Sequence, residues 1–465
     1  MTRRQLLASL PAAAAAAPNK WNVLLILTDD HGAHLGALGT PGLRTPRIDQ
    51  LAREGVLFSN AFAATASCAP SRCSILTGAY PHSNGVWRNV LLGMIPVPPA
   101  ARDVVGVHRD VPTLVEILNQ AGYVTGITAK YHLNPPSKFD FQHKIPIPKQ
   151  RPESYRAAVG KFIQDAGGRP FFLMANTTFP HRPFRSHLFP TDVAPVNPDE
   201  TQPPPSIPDL PGVRQDWADY LTSIQCADAI TGAILDALRE SGQERNTLVL
   251  FAGDQGPAYV RGKATMYDLG IRVPLIVKGP GIAAARDTKN LVSLIDLAPT
   301  VLDYLGIDIP STVQGASLRP LLEAKSGAPW RSLIFAEHNS HGLKEIYPVR
   351  SVYDGRFHYL RNLMPEREYA FIADARDAGP QWDNNAFEPT LAAKEQFPIQ
   401  YELLQATIRR PPEELYDRVS DPHEMHNIAA DPRFAAALGR LREAMNQWMR
   451  QTNDPGDPEK ITWRQ

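Results

Sequence analysis

The sequence predicts an α/β fold in which helices flank a large, mixed but mostly parallel sheet, followed by a smaller C-terminal α+β domain with an antiparallel sheet. Continuous apolar runs of strand length alternate with helical patterns, which is typical of parallel strands buried on both faces. At 465 residues the chain exceeds one compact core of the usual size. Beyond about residue 323, shorter strand patterns and turn residues replace the long apolar runs. We therefore expect a main domain at residues 19–325 and a C-terminal domain at 326–465.

Four apolar runs predict the strands of the main sheet. They cover Trp21–Leu27, Tyr123–Thr128, Pro170–Ala175 and Thr247–Ala252, and a further strand and turn follow at Ile271–Gly281. Helices are predicted from Thr45 onward, at Val111–Leu118 and at Asp219–Gly242. Phe58 and Phe62 are expected to pack on the sheet. The Pro- and Asp-rich stretch Thr191–Pro211 lacks periodicity and predicts a surface loop.

The C-terminal part reads as short strands and one closing helix. The strands are predicted at Ser332–Phe335, Pro348–Tyr353, Arg356–Leu360 and Glu414–Asp417, and the helix at Phe434–Met449. The Asp354-Gly355 pair between two of these strands is a hairpin turn signal.

Composition excludes several classes of protein. Lys and Arg together number 48, as do Asp and Glu, which argues against a nucleic-acid or membrane-surface protein. No mature segment is long and apolar enough to predict stable membrane insertion. Residues 1–18, with Arg3-Arg4 before Ala- and Leu-rich sequence, favour a bacterial twin-arginine export signal over a disordered Ala-rich terminus. We therefore expect an exported protein, periplasmic or extracellular.

The three cysteines do not form a disulfide framework. Cys68 follows small residues and precedes Pro70, which suits a first helical turn. A helix N-terminus favours an anionic group, so Cys68 is a candidate reactive position. The alternative is a small buried cysteine beside a helix that begins with proline.

Polar residues follow the predicted strands at one end. Asp29 and Asp30 end the first run, and two adjacent buried carboxylates require a counter-ion. Oxygen ligands suit Ca²⁺ or Mg²⁺, although a solvated Asp-Asp turn would read the same way. The other three runs are followed by Lys130 and His132, by His181, and by Asp254 and Gln255. Because ligand sites form beyond the carboxyl ends of strands in α/β sheets, these residues predict one active site.

Two stretches resemble the signatures of the type I sulfatase family of the alkaline phosphatase superfamily. The first runs from Cys68-Ala69-Pro70-Ser71-Arg72 to Leu76-Thr77-Gly78, and the second covers Gly122 to His132. The resemblance implies an alkaline-phosphatase-like fold and a sulfatase activity. It also implies that a formylglycine-generating enzyme converts Cys68 to formylglycine (3-oxoalanine), whose hydrated aldehyde attacks sulfur.

The same resemblance assigns roles to the predicted site. The metal ligands would be Asp29, Asp30, Cys68 as formylglycine, Asp254 and Gln255, holding Ca²⁺ or, alternatively, Mg²⁺. Catalytic roles fall to the following residues: Arg72 and Lys130 beside the aldehyde hydrate, Lys263 and His132 on the sulfuryl oxygens, and His181 beside the leaving group.

The tail resembles the sulfamidase (heparan N-sulfatase) branch of the family. The matching stretches are His338–His341, Tyr347–Val352, Glu414–Arg418, Asp421–Glu424 and Asp431–Phe434. This implies hydrolysis of the N-sulfate of glucosamine at the non-reducing end of a heparan- or heparin-derived fragment, with His341 and Arg350 as substrate-binding residues. The partner would be such a sulfated sugar or glycosaminoglycan fragment, and the resemblance allows a homodimer.

Three alternatives stay open. An O-sulfatase acting on 6-O-sulfoglucosamine or an aryl sulfate would share every catalytic residue. A phosphate mono- or diester hydrolase of the same superfamily is disfavoured by the Cys68 motif. An exported carbohydrate-binding protein with a silent site is the alternative outside catalysis.

Overall fold

The computed structural model describes residues 21–89, 105–184, 193–283, 286–324, 329–342, 346–369 and 386–464. The predicted export signal at 1–18 lies outside these ranges. The described residues form a large mixed sheet flanked by helices and a separate four-stranded antiparallel sheet, which confirms the predicted fold class.

The main sheet has the order β4-β3-β5-β1-β6-β7-β2-β8, and β9 also pairs with β2. The strands are β1 Asn22–Thr28, β2 Val56–Phe62, β3 Val124–Thr128, β4 His143–Ile145, β5 Phe171–Asn176, β6 Thr247–Gly253, β7 Arg272–Lys278, β8 Arg286–Thr288 and β9 Val292–Ser293. Among these described strands only β7 runs against the others. The carboxyl ends of β3, β5, β1 and β6 therefore meet at one edge.

The apolar runs form strands because both of their faces are covered. Every residue of β1, β3, β5 and β6 is buried. Phe58 and Phe62, which were expected to pack on the sheet, both lie within it as part of β2. That strand follows the first helix after a single residue, Gly55, so the sequence lacks a loop signal between the two elements.

Helices cover both faces of the main sheet and also pack against the second sheet. They are α1 Pro46–Glu54, α2 Cys68–Thr77, α3 Pro81–Asn84, α4 Leu114–Gln120, α5 Pro152–Ala166, α6 Pro211–Glu240, α7 Asp268–Ile271, α8 Leu297–Leu305, α9 Arg319–Leu322, α10 Phe387–Ala392, α11 Pro398–Ile408 and α12 Ala435–Thr452. Helix α6 begins at Pro211 rather than at the predicted Asp219, because proline fits the first turn and Val213 and Trp217 extend the buried face. No helix among these described residues is both long enough and apolar enough to cross a membrane.

The second sheet has the order β10-β11-β12-β13, with every neighbouring pair antiparallel. Its strands are β10 Ile334–His338, β11 Val349–Tyr353, β12 Phe357–Asn362 and β13 Glu413–Asp417. The predicted hairpin joins β11 to β12, and its Gly355 has a φ of 94°, a conformation that favours glycine. Helix α12 packs its apolar face on this sheet through Leu441, Met445 and Trp448.

A buried ionic cluster joins the second sheet to the main part of the chain. The Glu424 carboxylate accepts hydrogen bonds from the backbone N–H of Asp268 at 2.9 Å and from His358 Nδ1 at 2.5 Å. Arg261 donates to the backbone oxygen of Glu424 at 2.6 Å. Burial disfavours the charged form of Glu424, but His358 and Arg418 outweigh it and lower the pKa of Glu424 to about 2. The ionised carboxylate thus stabilises the contact between the two sheets.

We expect Glu424→Gln to lower the thermal unfolding midpoint at pH 7, by a free energy on the order of 3 kcal/mol. A lowered pKa means that the stabilisation is complete above the ordinary value of 4.5 and is lost as the pH falls towards about 2. Scanning calorimetry across this range should therefore show the difference from the unmodified protein shrinking with acid. Glu443→Gln, on the exposed face of α12, is the control and should change little. An equal difference at pH 7 and pH 3 would contradict the assignment.

Candidate active site

The candidate site begins where β1 ends. Asp29 and Asp30 follow Thr28 directly, and Asp30 has a φ of 61°. The backbone N–H of Asp29 donates to the oxygen of Phe179 at 3.1 Å, and that of Asp30 donates to Asp254 Oδ1 at 2.9 Å. The turns after three parallel strands are thus held together by hydrogen bonds that the backbone of Asp29 and Asp30 donates, and both carboxylates are buried.

Cys68 is the first residue of α2 and only 1% of its surface is exposed. Its Sγ lies 3.7 Å from Asp29 Oδ1 and 3.8 Å from Asp30 Oδ1, and Gln255 Nε2 lies 3.2 Å away. Burial raises the pKa of the Cys68 thiol to about 11, although Lys130 and Lys263 lower it. The thiol is therefore protonated near neutral pH.

Each of the three carboxylates has its own cation. Lys130 Nζ lies 2.5 Å from Asp29 Oδ2. Lys263 Nζ donates to both oxygens of Asp30, at 2.7 and 2.8 Å. Arg72 donates through Nε to Asp254 Oδ2 at 2.9 Å. All six predicted residues thus meet in one buried cluster, and Arg72 contacts the carboxylate of Asp254.

The charges in this cluster shift one another's ionisation. Burial disfavours the charged form of Asp29, but Lys130, His181, Arg72 and Lys263 outweigh it and hold the pKa of Asp29 well below its usual value. Burial likewise disfavours the charged form of Lys263, and Asp30 nevertheless raises the pKa of Lys263 above its usual value. Both groups are therefore charged at neutral pH.

His181 lies at the rim of the cluster, with 26% of its side chain exposed. Its Nδ1 lies 2.5 Å from the backbone oxygen of Arg182, and its Nε2 lies 3.7 Å from Asp30 Oδ2. The carbonyl oxygen can only accept, so Nδ1 carries the proton and Nε2 is directed at the site. Asp216 holds the Arg182 guanidinium through two hydrogen bonds, at 2.9 and 2.5 Å, which fixes this loop.

The donor set fits a hard cation. Ligand atoms of Asp29, Asp30, Cys68 and His181 lie within 4.8 Å of one another. The amide oxygen of Gln255 is buried and has no hydrogen-bond partner among the residues the structure describes. A buried carbonyl oxygen without a donor is costly, and a cation would satisfy it. The acidic cluster can therefore hold a divalent cation.

The two predicted substrate-binding residues have different surroundings. His341 lies beside the Cys68 loop, where its Nδ1 is 2.9 Å from Ser67 Oγ and its Nε2 is 3.2 Å from Asn89 Nδ2. Arg350 lies within the second sheet and is fully buried. Its guanidinium pairs with Asp454 and donates to Asn339 Oδ1, so the prediction that Arg350 binds substrate is wrong. An arginine within a strand pattern gives no signal that its partner is a carboxylate 104 residues away.

Sequence analysis missed two residues that shape the site. Asn89 accepts a hydrogen bond from the backbone N–H of Ala69 at 3.0 Å, in the first turn of α2. Asn176 donates to the backbone oxygen of Lys130 at 2.6 Å. Asn89 lies in an aperiodic loop without a motif. Asn176, in contrast, ends β5, and the strand-end argument that found its neighbours could have found it. His132, which was predicted, has a φ of 43° and lies close enough for its charge to act on His341.

Known proteins resemble the chain over nearly its whole length. The family profile described as Sulfatase matches residues 21–307, and the one described as N-sulphoglucosamine sulphohydrolase, C-terminal, matches 259–406. N-sulphoglucosamine sulphohydrolase of Homo sapiens is 32% identical, across 93% of this chain and 91% of that enzyme. An N-acetylglucosamine-6-O-sulfatase of Bacteroides thetaiotaomicron is 25% identical, across 98% and 92%. The solved phosphonate monoester hydrolase of Silicibacter pomeroyi shares the fold, with a TM-score of 0.68, 21% identity and coverage of 94% and 96%.

We expect a divalent cation to raise the thermal unfolding midpoint of chelator-treated protein, because an ion that binds the folded state stabilises it. The gain is about 2.7 kcal/mol at 100 times the dissociation constant. Asp30→Asn should abolish the rise, measured by scanning calorimetry with Ca²⁺ and Mg²⁺ in parallel. Asp287→Asn, at an exposed carboxylate of β8, should keep it. A rise of the same size in Asp30→Asn would mean that the ion binds elsewhere.

Proposed function

This chain belongs to the sulfatase family, and we propose that it hydrolyses the N-sulfate of glucosamine at the non-reducing end of a heparan- or heparin-derived fragment. Hydrolysis of a sulfuric ester or sulfamate follows from the family. The observation that carries the mechanism is the position of Cys68, at a buried helix start within 4 Å of two aspartates.

The proposed nucleophile derives from Cys68. The stretch from Cys68 to Arg72 resembles the family motif for conversion to formylglycine, so a formylglycine-generating enzyme is the proposed maturation partner. Because Cys68 is 1% exposed, that enzyme would have to act before the loop closes around the residue. The hydrated aldehyde would supply one hydroxyl that attacks sulfur and a second that releases sulfate.

Three cations and a histidine surround the position that the sulfate would take. Lys130 and Arg72 lie beside residue 68, and Nη1 of Arg72 is buried without a hydrogen-bond acceptor among the described residues. Lys263 and His132 would hold the sulfuryl oxygens, whose negative charge they offset in a pocket that excludes water. These contacts are strongest when the negative charge on the sulfuryl oxygens is largest, which favours catalysis over binding.

The proposed cation is Ca²⁺, with Mg²⁺ as the alternative. Carboxylate and amide oxygens are ligands for both, and Ca²⁺ accepts the irregular geometry of such a set more readily. Asp29, Asp30, Asp254 and Gln255 would hold it. The bound ion would lower the pKa of the hydroxyl on residue 68 and add positive charge beside the sulfate.

His181 is the proposed proton donor to the leaving group. Its Nδ1 is engaged by the backbone oxygen of Arg182, which leaves Nε2 facing the site. Burial lowers the pKa of His181, although Asp30 raises it. A proton on Nε2 is therefore readily given up, as general acid catalysis requires.

The C-terminal part of the chain is the reason for proposing an N-sulfate rather than an O-sulfate as the substrate. The profile that matches residues 259–406 is named for N-sulphoglucosamine sulphohydrolase, and so is the relative at 32% identity. The 6-O-sulfatase relative, at 25% identity, makes an O-sulfatase the second candidate.

The Arg3-Arg4 signal supports export by the twin-arginine route, after the cytoplasmic maturation of Cys68.

Sulfate release by matured protein tests the substrate. Glucosamine N-sulfate and N-acetylglucosamine 6-sulfate would be compared under identical conditions, with Cys68→Ala as the blank. Release from the N-sulfated sugar alone is the expected result. Release from the 6-sulfate alone would retain the sulfatase and reject N-sulfate specificity, and release from neither would direct attention to phosphate esters.

We expect Cys68→Ser to bind substrate without sustained turnover. A serine provides one hydroxyl but lacks the second, through which sulfate would leave, so kcat should fall at least about 1000-fold while substrate affinity is retained. Steady-state sulfate release and calorimetric substrate binding measure the two quantities separately. Normal turnover by Cys68→Ser would refute the formylglycine assignment.

A further inference from the structure

A chain of hydrogen bonds links the two residues that flank Cys68. On one side, the backbone N–H of Ala69 donates to Asn89 Oδ1 at 3.0 Å. On the other side, Ser67 Oγ lies 2.9 Å from His341 Nδ1. The chain closes between them, since Asn89 Nδ2 lies 3.2 Å from His341 Nε2.

The direction of every bond in this chain follows from its first member. A backbone N–H can only donate, so the Asn89 atom facing Ala69 is the oxygen and the atom facing His341 is the NH₂ group. His341 Nε2 must then accept and carry no proton. The proton therefore lies on Nδ1, which donates to Ser67 Oγ. Turning the Asn89 amide over would instead bring its NH₂ group against the backbone N–H of Ala69 at 3.0 Å, two donors face to face.

The same logic requires a neutral His341. A second proton on Nε2 would oppose the NH₂ group of Asn89. Burial lowers the pKa of His341 well below its usual value, and the charge of Lys263 lowers it further. Both ring nitrogens are thus occupied by protein groups, which leaves neither for a sulfate oxygen.

The second sheet holds His341 in position. Strand β10 is joined to the Cys68 loop by the backbone N–H of Glu337, which donates to the oxygen of Ala64 at 2.9 Å. The Glu337 carboxylate accepts from the backbone N–H of His82 at 2.7 Å and from Asn339 Nδ2 at 3.1 Å. The backbone oxygen of Asn339 in turn accepts from the N–H of Tyr347 at 2.9 Å. The segment that carries His341 is therefore anchored on both sides.

We propose that His341 and Asn89 are positioning residues for the nucleophile, and that they act by clamping the residues on either side of position 68. The role rests on the proposed function of Cys68 and replaces the predicted substrate contact of His341. It makes the orientation of the reacting group depend on a histidine from the C-terminal part of the chain. A misplacement of about 1 Å can lower a rate about 100-fold, so the clamp has a measurable consequence.

Kinetics of four variants test the clamp, with rates normalised to the fraction of matured residue 68. His341→Phe retains the ring and removes both nitrogens, whereas His341→Gln retains one N–H donor and one oxygen acceptor. We expect His341→Phe and Asn89→Ala to lower kcat about 10- to 100-fold with KM within about threefold. His341→Gln should recover most of the loss. The kcat of the double variant His341→Phe/Asn89→Ala should be little lower than that of the poorer single variant, because both changes break the same chain of hydrogen bonds. His426→Phe, at an exposed histidine, is the control.

Unchanged kcat in His341→Phe would overturn the proposal, because the ring would then only fill space. A raised KM with full kcat would also overturn it and restore a substrate contact. Independent losses that multiply in the double variant would show that no shared chain exists.

Hydrogen–deuterium exchange tests the clamp without any sulfatase activity. In the full-length protein, the peptide spanning residues 66–72 should exchange about tenfold faster in Asn89→Ala and His341→Phe, with other core peptides unchanged. Unchanged exchange in this peptide would refute the clamp even if sulfate release confirms the proposed function. Faster exchange in a protein that releases no sulfate would uphold the clamp and reject the proposed function.

Discussion

The paired charges at the carboxyl edge of the main sheet are the constraint on which the rest of the site depends. Asp29, Asp30 and Asp254 are buried side by side, and a cation lies against each of them. Removing one partner of such a buried pair leaves an uncompensated charge, which costs about 3–5 kcal/mol. The arrangement therefore fixes the positions of Lys130, Lys263 and Arg72, and it does so directly around the sulfur of Cys68. Electrostatic stabilisation of a sulfate requires the same fixed cations, so stability and proposed catalysis share one set of groups.

The segment that follows strand β10 of the second sheet also contacts this site. The hydrogen bond from Glu337 to Ala64 joins strand β10 to the loop before Cys68, and His341 follows four residues later. The Glu424 cluster fixes the same sheet at a second place. A family profile named for one substrate specificity covers strands β10 to β12 and His341, while the profile that covers Asp29, Asp30 and Asp254 is named for the whole family. The proposed N-sulfate preference and the proposed positioning of the nucleophile therefore both involve the C-terminal part of the chain.

The central strands could be predicted from the sequence because burial on both faces makes them continuously apolar. The charged cluster could be predicted because the parallel strands that carry it end at one edge of the sheet. Strand β2 was missed, because one glycine separates a helix from a strand there without a loop signal. Arg350 was misassigned, because a single sequence does not reveal that Asp454 lies across the sheet. The contact of Asn89 could not be predicted either, because Asn89 lies in an aperiodic loop and contacts the first turn of α2 through one hydrogen bond from the backbone N–H of Ala69. Local sequence patterns predict secondary-structure elements and the residues at strand ends. Polar partners that are distant in the sequence can be identified only from the three-dimensional fold.

The proposed nucleophile requires formylglycine at residue 68 of the active protein. The most direct test is the mass of the peptide that contains residue 68, measured on protein purified from its native host. The proposal predicts that this peptide carries an aldehyde in place of the thiol and that the specific rate of sulfate release scales with the aldehyde fraction. A peptide that contains only unmodified cysteine, in protein that still releases sulfate, would contradict it.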